Sequence, residues 1–229
     1  MISRLFVLWR TPDEARRRFI VGQLWRERGT FFFGYAADIS QAESHGFRRL
    51  AEFPEPRSIE RPYDSEGYLF PTFAQRIPSP RRPDYSELMR QWQVDHVDDH
   101  FEVLARSGGI LATDGIELAE YRALDDPITE PLRMRVAGTR FYDGKQLAAE
   151  GAQVRLVPEP DNTRDPNAVK IVLGDGVTLG FVPYCYAELL RVHLAKGELV
   201  EAKLLRPIVL QSDPRRRQLE VRCATSRTP

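Results

Sequence analysis

The sequence predicts an α+β chain with two domains. One is an α+β domain over residues 1–123, and the other is a small β-barrel with one helix over residues 131–229. Strand-like runs followed by capped apolar runs predict the first, and short strand-like runs at regular spacing predict the second. Residues 124–131 are rich in Asp, Glu and Pro and suit a linker. With 229 residues, 42% of them hydrophobic, the chain can build two cores.

The first elements are three runs with the aromatic and aliphatic content of strands, at residues 5–9, 19–25 and 30–35. We expect them to form an antiparallel meander. Residues 39–50 predict a short helix or an irregular crossing. Residues 53–68 are rich in Pro, Ser and charge, and they predict a loop.

Three helices are predicted next. The first begins near Pro71, because proline suits the first helical turn, and the proline-rich residues 78–83 end it. The other two are apolar runs behind capping side chains, and Gly108–Gly109 end the last one. The predicted caps are Asp84 or Ser86 for a helix through Trp92, and Asp98 or Asp99 for a helix over residues 101–105.

The second half is dominated by short strand-like runs, which at this spacing are typical of a small barrel. They cover residues 132–136, 153–157, 169–173, 179–182, 199–205 and 219–223. One helix, residues 187–195, interrupts them. Residues 174–176, Gly-Asp-Gly, mark a tight hairpin turn.

The formal net charge is zero, but the charges are unevenly divided. Residues 1–130 carry 17 basic and 22 acidic side chains, a balance of −5, and residues 131–229 carry 16 and 11, a balance of +5. A basic half suits nucleic acid as a partner. Alternatively, the two halves attract each other.

The two cysteines, Cys185 and Cys223, form no disulfide framework and lack metal-ligand spacing. We therefore expect a reducing, cytoplasmic compartment. The apolar run at the start of the chain is too short for a signal peptide or a membrane span. No cofactor and no metal are predicted.

Residues 158–169 combine Pro, Asn and Asp between two strand-like runs. Proline fixes φ, and Asn and Asp bond their own backbone, so this loop is conformationally specified. We expect it to project Asn162, Arg164 and Asp165 in a defined geometry from a rigid sheet.

Three blocks in the second half resemble, in order, the HIRAN domain: residues 136–144, residues 158–169 and residues 179–183. The resemblance covers about residues 131–225. It implies a modified OB-like or SH3-like barrel that binds DNA, as found in eukaryotic DNA translocases and alone in bacteria. In those translocases the domain captures the 3′ end of single-stranded DNA.

By this resemblance Arg140, Phe141, Asn162 and Asp165 match DNA-contacting positions. Arg140 can pair with a phosphate through two hydrogen bonds. Phe141 or Tyr142 can stack on an unpaired base, which contributes about 1–3 kcal/mol per base in comparable sites. The predicted DNA-binding residues are Arg140, Phe141, Tyr142, Asn162, Arg164, Asp165 and Phe181, the last as a second stacking surface.

The loop residues have two interpretations. Asp165 can accept a hydrogen bond from a terminal hydroxyl, and Asn162 can bond a base edge. Alternatively, Asn162 orients the loop, and residues 165–167 only close it, with Asp165 bonding backbone amides. Arg164 stands where the eukaryotic pattern has an aromatic, so it can stack, bind phosphate, or mark a protein that binds duplex ends.

The first half, about residues 5–120, resembles the N-terminal subdomain of HipA-like serine/threonine kinases. The resemblance rests on residues 33–35, 69–78 and 99–108. It implies a protein-interaction module or a regulator of a separately encoded kinase toxin. No lysine precedes Lys145, so the phosphate-anchoring lysine of a kinase is missing from this half.

Other constellations point to structure. His96 and His100 have metal-ligand spacing on a helix but no evident third ligand, so we interpret them as surface residues at a helix start. Residues 31–33, Phe-Phe-Phe, are predicted core. Ser and Thr residues have no His at motif spacing, and no carboxylates converge clearly, so no catalysis is predicted.

Two hypotheses of function follow. In the first, the protein binds DNA, single-stranded or at ends, in repair or in defence against foreign DNA, and its N-terminal domain contacts a protein partner. In the second, the chain is a regulator that binds protein, for example a HipA-like kinase toxin, and the barrel is accessory.

Overall fold

The structure is a computed structural model. It describes residues 1–14, 16–126, 128, 131–142, 149–174, 176–198, 200–205, 208–209, 217–218 and 220–225. The chain divides into two compact units, residues 1–121 and 122–229. Both are built on antiparallel sheets with few helices, which confirms the predicted α+β class. Asp175, Leu219 and the end of the first HIRAN-like block, residues 143–144, lie outside the described residues.

The first unit contains a five-stranded antiparallel sheet. Its strands are β1 (Arg4–Arg10), β2 (Arg18–Glu27), β3 (Thr30–Tyr35), β4 (Tyr63–Glu66) and β5 (Ile116–Glu120), in the order β4-β3-β2-β1-β5. The first three form the predicted meander. Arg28 and Gly29 join β2 to β3 with φ of 49° and 84°, the backbone that matches the twist of a tight hairpin.

Two strands of this sheet correct the sequence prediction. β4 lies inside residues 53–68, which were predicted to be a loop. Its four residues are mostly polar, and only Ser65 is buried, so no apolar run marked it. β5 was not predicted at all. Ile116 and Leu118 alternate inward as in a strand, but the Glu and Ala residues between them favour helix.

The helices of the first unit are α1 (Ile39–Ser44), α2 (Pro71–Ala74), α3 (Tyr85–Gln91) and α4 (His100–Ser107). Pro71 opens α2, and Gly108 with φ of 77° ends α4, as predicted. Asp99 caps α4 by accepting hydrogen bonds from the amides of Phe101 at 3.0 Å and Glu102 at 3.4 Å. Asp84 occupies the predicted cap position of α3, but its side chain makes no cap hydrogen bond and accepts from Arg82 instead, at 2.8 Å.

The core of the first unit is largely aromatic. Phe33 is fully buried, and its ring centroid lies 4.4 Å from that of Phe53. The hydroxyl of buried Tyr35 donates to the carbonyl of Phe53 at 2.7 Å and accepts from the amide of Leu50 at 3.0 Å. Burial raises the pKa of Tyr35 to about 12. This phenol therefore holds the fold rather than reacting.

His100 is the first residue of α4, as predicted, whereas His96 lies four residues before the helix. The Nδ1 atom of His96 lies 2.9 Å from a carboxylate oxygen of buried Glu102, and His100 is exposed as the first residue of the helix. The two imidazoles therefore do not face a common ligand.

The second unit contains a six-stranded antiparallel sheet. Its strands are β6 (Leu132–Arg135), β7 (Gln153–Pro158), β8 (Val169–Leu173), β9 (Thr178–Phe181), β10 (Val200–Leu204) and β13 (Glu220–Thr225), in the order β6-β13-β10-β7-β8-β9. Two short strands, β11 (Ile208–Val209) and β12 (Arg217–Gln218), pair separately.

The two edges of this sheet meet just after β6. Ala137 and Phe181 exchange two backbone hydrogen bonds of 2.8 and 2.9 Å, which close the sheet into the predicted barrel. A glycine is required beside this closure. Gly180 has φ of 146°, and a Cβ there would overlap the carbonyl oxygen of Ala137.

The helix of the second unit, α5 (Tyr184–Ala195), begins three residues before the predicted Ala187. Pro183 occupies the capping position, and proline before a helix suits its start. Its buried residues are Tyr186, Ala187, Leu189, Leu190 and His193. Among the described residues, no helix is long and apolar enough to cross a membrane.

Candidate nucleic-acid interface

The loop of residues 158–169 is a hairpin connection between β7 and β8. Pro158 and Val169 pair at its base, and the amide of Glu159 donates to the carbonyl of Ala168 at 2.8 Å. Within the loop the amide of Ala168 donates to the carbonyl of Asp165 at 3.0 Å. The loop therefore stands on a two-stranded base with its own internal backbone bonds.

Asn162 organises the tip of this loop. Its side-chain oxygen accepts from the amides of Arg164 at 3.0 Å and Asp165 at 3.2 Å. Its side-chain nitrogen donates to a carboxylate oxygen of Glu159 at 3.0 Å. Asn162 was predicted either to bond a base edge or to orient the loop. These bonds all lie within the loop and therefore orient it.

Asp165 closes the far side of the loop. Its Oδ1 atom accepts from the amide of Asn167 at 2.8 Å, and the Asn167 side chain accepts from Nε of Arg191 on α5 at 2.8 Å. Asp165 itself is partly buried. The loop is thus tied to the helix as well as to the sheet.

Glu159 and Lys170 form an ion pair at the base of the loop. Hydrogen bonds from Lys170 and then from Asn162 lower the pKa of the Glu159 carboxyl. This pair was not predicted from the sequence. One signal was available: with Pro158 opposite Val169, the oppositely charged Glu159 and Lys170 are diagonal neighbours across the hairpin.

Aromatic side chains face the loop. Gly138 with φ of 72° starts a short 3-10 turn, Thr139–Phe141, which leads into Tyr142. The rings of Tyr142 and Phe181 lie 6.1 Å apart at 57°. Their shared position lies beside the strand pair that closes the barrel, so a rigid part of the backbone holds them.

An open cavity of about 610 Å³ lies between these aromatic rings and the loop. Its described lining consists of Tyr142, Pro158, Glu159, Pro160, Asp161, Asn162, Thr163, Arg164 and Phe181. Four of the seven predicted DNA-binding residues therefore line one cavity. A volume of this size lies within the range of small-ligand sites.

The other three predicted residues do not line the cavity within the described part of the chain. Phe141 is 66% exposed, which excludes a core role, and the Arg140 guanidinium lies 4.5 Å from its ring centroid. These two side chains form one cation–π unit on the surface. Asp165 lies in the same loop, but its carboxylate accepts a hydrogen bond from the amide of Asn167.

The charges at the cavity are mixed. Glu159 is neutralised by Lys170, which leaves Asp161 and Arg164 as exposed charges of opposite sign. The Arg164 guanidinium has no hydrogen bond or ion pair with any residue that the structure describes. An exposed arginine at a cavity edge can bind an incoming anion without first breaking an internal pair.

Residues 131–204 match the family model of the HIRAN domain. This segment is a HIRAN domain. The match contains all seven predicted DNA-binding residues and the cavity. It covers less than half of the chain, and the HipA-like resemblance of the first half gains no support from it and stays a prediction.

One curated relative is the Fanconi-associated nuclease 1 homolog of Arabidopsis thaliana. It is 33% identical over 60 residues, which are 26% of this chain and 7% of that protein. This chain therefore spans only a small part of that relative, and the similarity lies in the HIRAN region.

Two solved structures are also similar. The HIRAN domain of human HLTF is 22% identical, with a TM-score of 0.33 over 41% of this chain and 74% of that chain. A protein from Lactobacillus plantarum is 18% identical, with a TM-score of 0.32 over 42% of this chain and 99% of that chain.

Proposed function

We propose that the HIRAN domain of this chain binds DNA at the cavity, as a single strand or at an end, without catalysis. The observation that carries the proposal is the pairing of an aromatic wall, Tyr142 and Phe181, with a fixed loop that presents Arg164. Stacking surfaces beside a cation are the elements of single-strand recognition.

The geometry favours an unpaired nucleotide. A base stacked inside a duplex does not expose its face, so an aromatic wall can contact only a base that is single-stranded or frayed at an end. Arg164 binds the phosphate beside that base. The Arg140–Phe141 unit extends the same chemistry onto the surface, where a neighbouring nucleotide can stack on Phe141.

Binding is tested by fluorescence anisotropy of the full chain with a labelled single strand, a blunt duplex of the same sequence, and the single strand with a 3′-phosphate. We expect the single strand to bind more tightly than the blunt duplex. The 3′-phosphate arm asks whether a terminal hydroxyl is read. No binding of any DNA at low salt would overturn the proposal, because electrostatic attraction is strongest there, and would favour the protein-binding regulator.

Arg164→Ala tests the cavity itself. We expect binding to weaken roughly fivefold to tenfold, because one charge-assisted phosphate contact is lost. The dependence of log affinity on log salt should flatten by about 0.7 for a single strand. The matched control is Arg155→Ala, which removes an exposed arginine of β7 outside the cavity lining. Equal losses in both variants would exclude a specific role for the cavity.

The absence of catalysis is part of the proposal and has its own test. Labelled single-stranded and duplex DNA is incubated with the full chain and Mg²⁺ or Mn²⁺, and its length is followed by denaturing electrophoresis. We expect intact DNA. Cleavage that survives further purification and changes in Arg164→Ala would overturn this part.

The proposal places the protein in the cytoplasm and assigns residues 1–121 a protein partner. Cys185 is partly buried, and the proposal of a reducing compartment rests on the small number of cysteines in the chain, two. Affinity capture with the full chain and with the Arg164→Ala variant distinguishes a partner of the first unit, retained by both, from one bridged by DNA.

A further inference from the structure

We propose that Glu159 and Lys170 are positioning residues of the DNA site: they orient the side chain of Asn162, and through it the part of the loop that carries Arg164. The effect on DNA rests on the proposed function. The orientation of the loop does not, and it can be measured without DNA.

Lys170 of this pair has a fixed position in the sheet. Lys170 is the second residue of β8 and is flanked in register by Val157 of β7 and Phe181 of β9. It is therefore held in the sheet by neighbours on both sides. Its ammonium reaches one carboxylate oxygen of Glu159, the first residue after β7.

The second carboxylate oxygen of Glu159 accepts from the side-chain nitrogen of Asn162 at 3.0 Å. An ionised carboxylate only accepts hydrogen bonds, so it fixes which end of the Asn162 amide faces it. The NH₂ end must point to Glu159, and the oxygen must point away. That oxygen accepts from the amides of Arg164 and Asp165.

The loop has a second attachment that does not involve Glu159. Asp165 bonds the amide of Asn167, and the Asn167 side chain accepts from Arg191 on α5. Arg164 lies between the two attachments. Loss of the Glu159 carboxylate should therefore loosen the turn at Arg164 while the helix side of the loop stays attached.

The test compares Glu159→Gln, Lys170→Met and the charge swap Glu159→Lys/Lys170→Glu in the full chain. The matched control is Glu188→Gln, an exposed glutamate of α5 outside the loop. Amide hydrogen exchange at Arg164 and Asp165 is followed by NMR without DNA. Affinity for the labelled single strand is measured in parallel.

In Glu159→Gln one carboxylate oxygen becomes an NH₂ group that cannot accept, and the charge that holds Lys170 is lost, so Asn162 is held less firmly. The amides of Arg164 and Asp165 should therefore exchange at least about tenfold faster than in the wild type. Lys170→Met should act in the same direction. The charge swap restores an ion pair but offers Asn162 no acceptor at position 159. We expect it to recover thermal stability without recovering protection of the two amides.

Affinity for the single strand should fall about threefold to tenfold in the variants with faster exchange. Unchanged exchange in Glu159→Gln would overturn the inference, whatever the DNA result. Faster exchange with unchanged affinity would overturn the positioning role. If the charge swap also restored protection of both amides from exchange, the pair would act only as an ion pair, without orienting Asn162. Failure of the wild type to bind DNA would overturn the proposed function, while the exchange comparison would still decide the orientation of the loop.

Discussion

Several arginine side chains in residues 1–121 are held by carboxylates, whereas the arginine at the HIRAN cavity has no such partner among the described residues. Arg76 is the extreme case in the first unit: its side chain is 1% exposed and binds Asp114 through two bonds, of 3.2 and 2.6 Å. Arg18 likewise binds Glu117 at 2.7 Å. Arg164 in the second unit is exposed at a cavity edge.

Aromatic residues show the same contrast. Phe33 and Phe53 of the first unit are buried against each other, and Tyr35 hydrogen-bonds within that core. Tyr142 and Phe181 line an open cavity. Arginine content does not separate these cases, because both units are rich in arginine, and 18 of the 23 aromatic residues lie in the first unit. The two units differ in what these side chains contact: those of the first unit contact other residues of that unit, whereas those of the second line an open cavity. We therefore assign the proposed function to the second unit.

The largest expected effect is on the stability of the first unit. Arg76→Ala should lower its free energy of unfolding by about 3 kcal/mol, because the carbonyl of Gly109 and the Asp114 carboxylate lose a buried partner. Urea unfolding followed by tryptophan fluorescence measures it, since all three tryptophans lie in residues 1–121. Arg81→Ala, at an exposed arginine, is the control. A large loss of DNA affinity in folded Arg76→Ala would contradict the contrast between the units.

The next effect is on the closure of the barrel. Gly180→Ala should destabilise the second unit by about 2 kcal/mol or more, because the new Cβ meets the carbonyl of Ala137 at a backbone conformation that only glycine adopts easily. Thermal unfolding by circular dichroism measures the change. Gly174→Ala has open space around it and is the matched control. Equal stability of the two variants would mean that the edges do not meet as described.

A smaller effect separates the aromatic residues of the two units. Tyr142→Ala should weaken single-strand binding by about 1–3 kcal/mol, the value of one stacked base. Phe32→Ala, which removes a partly exposed ring stacked on Trp25 in the first unit, should leave DNA affinity unchanged. Anisotropy titrations of both variants test the difference. Similar affinities for the two variants would show that the cavity aromatics do not stack on bases.

The smallest expected effect is the loss of stability in acid that involves Asp99. Burial raises the pKa of Asp99, but the hydrogen bond and positive charge of Arg26 outweigh burial and hold the pKa below its usual value. A carboxyl with a lowered pKa stabilises the fold above its usual pKa, and this contribution is lost as the pH falls through the folded pKa. Asp99→Ala should cost about 1 kcal/mol at neutral pH through the lost cap.

The difference between Asp99→Ala and the wild type should shrink as the pH falls below about 4. Urea unfolding at neutral and acid pH, again followed by tryptophan fluorescence, measures this change. Asp98→Ala, at the exposed neighbouring residue, is the control. A difference that stays constant in acid would show that the Asp99 charge does not contribute.

Much of the fold was predictable because the signals are local. Pro71 and Gly108 mark helix ends through their own backbone preferences, and Asp99 caps the next turn. β4 was missed because it has no apolar pattern, and β5 because its Glu and Ala residues favour helix; pairing with a neighbouring strand makes both of them strands. The closure between Ala137 and Phe181 is likewise non-local.

The site divides in the same way. The turn chemistry of Asn162 and Asp165 follows from their positions in the loop, so their geometry was predictable. The sequence did not separate Tyr142, which lines the cavity, from Arg140 and Phe141, which lie outside it, because a single 3-10 turn decides where each side chain goes. The role of Glu159 depends on Lys170 across the hairpin.

An NMR titration of the full chain with a short single-stranded oligonucleotide locates the residues that contact DNA. We expect amide shift changes centred on Tyr142, residues 159–164 and Phe181, which weaken together in Arg164→Ala. Changes confined to residues 1–121, or no changes at low salt, would contradict this expectation.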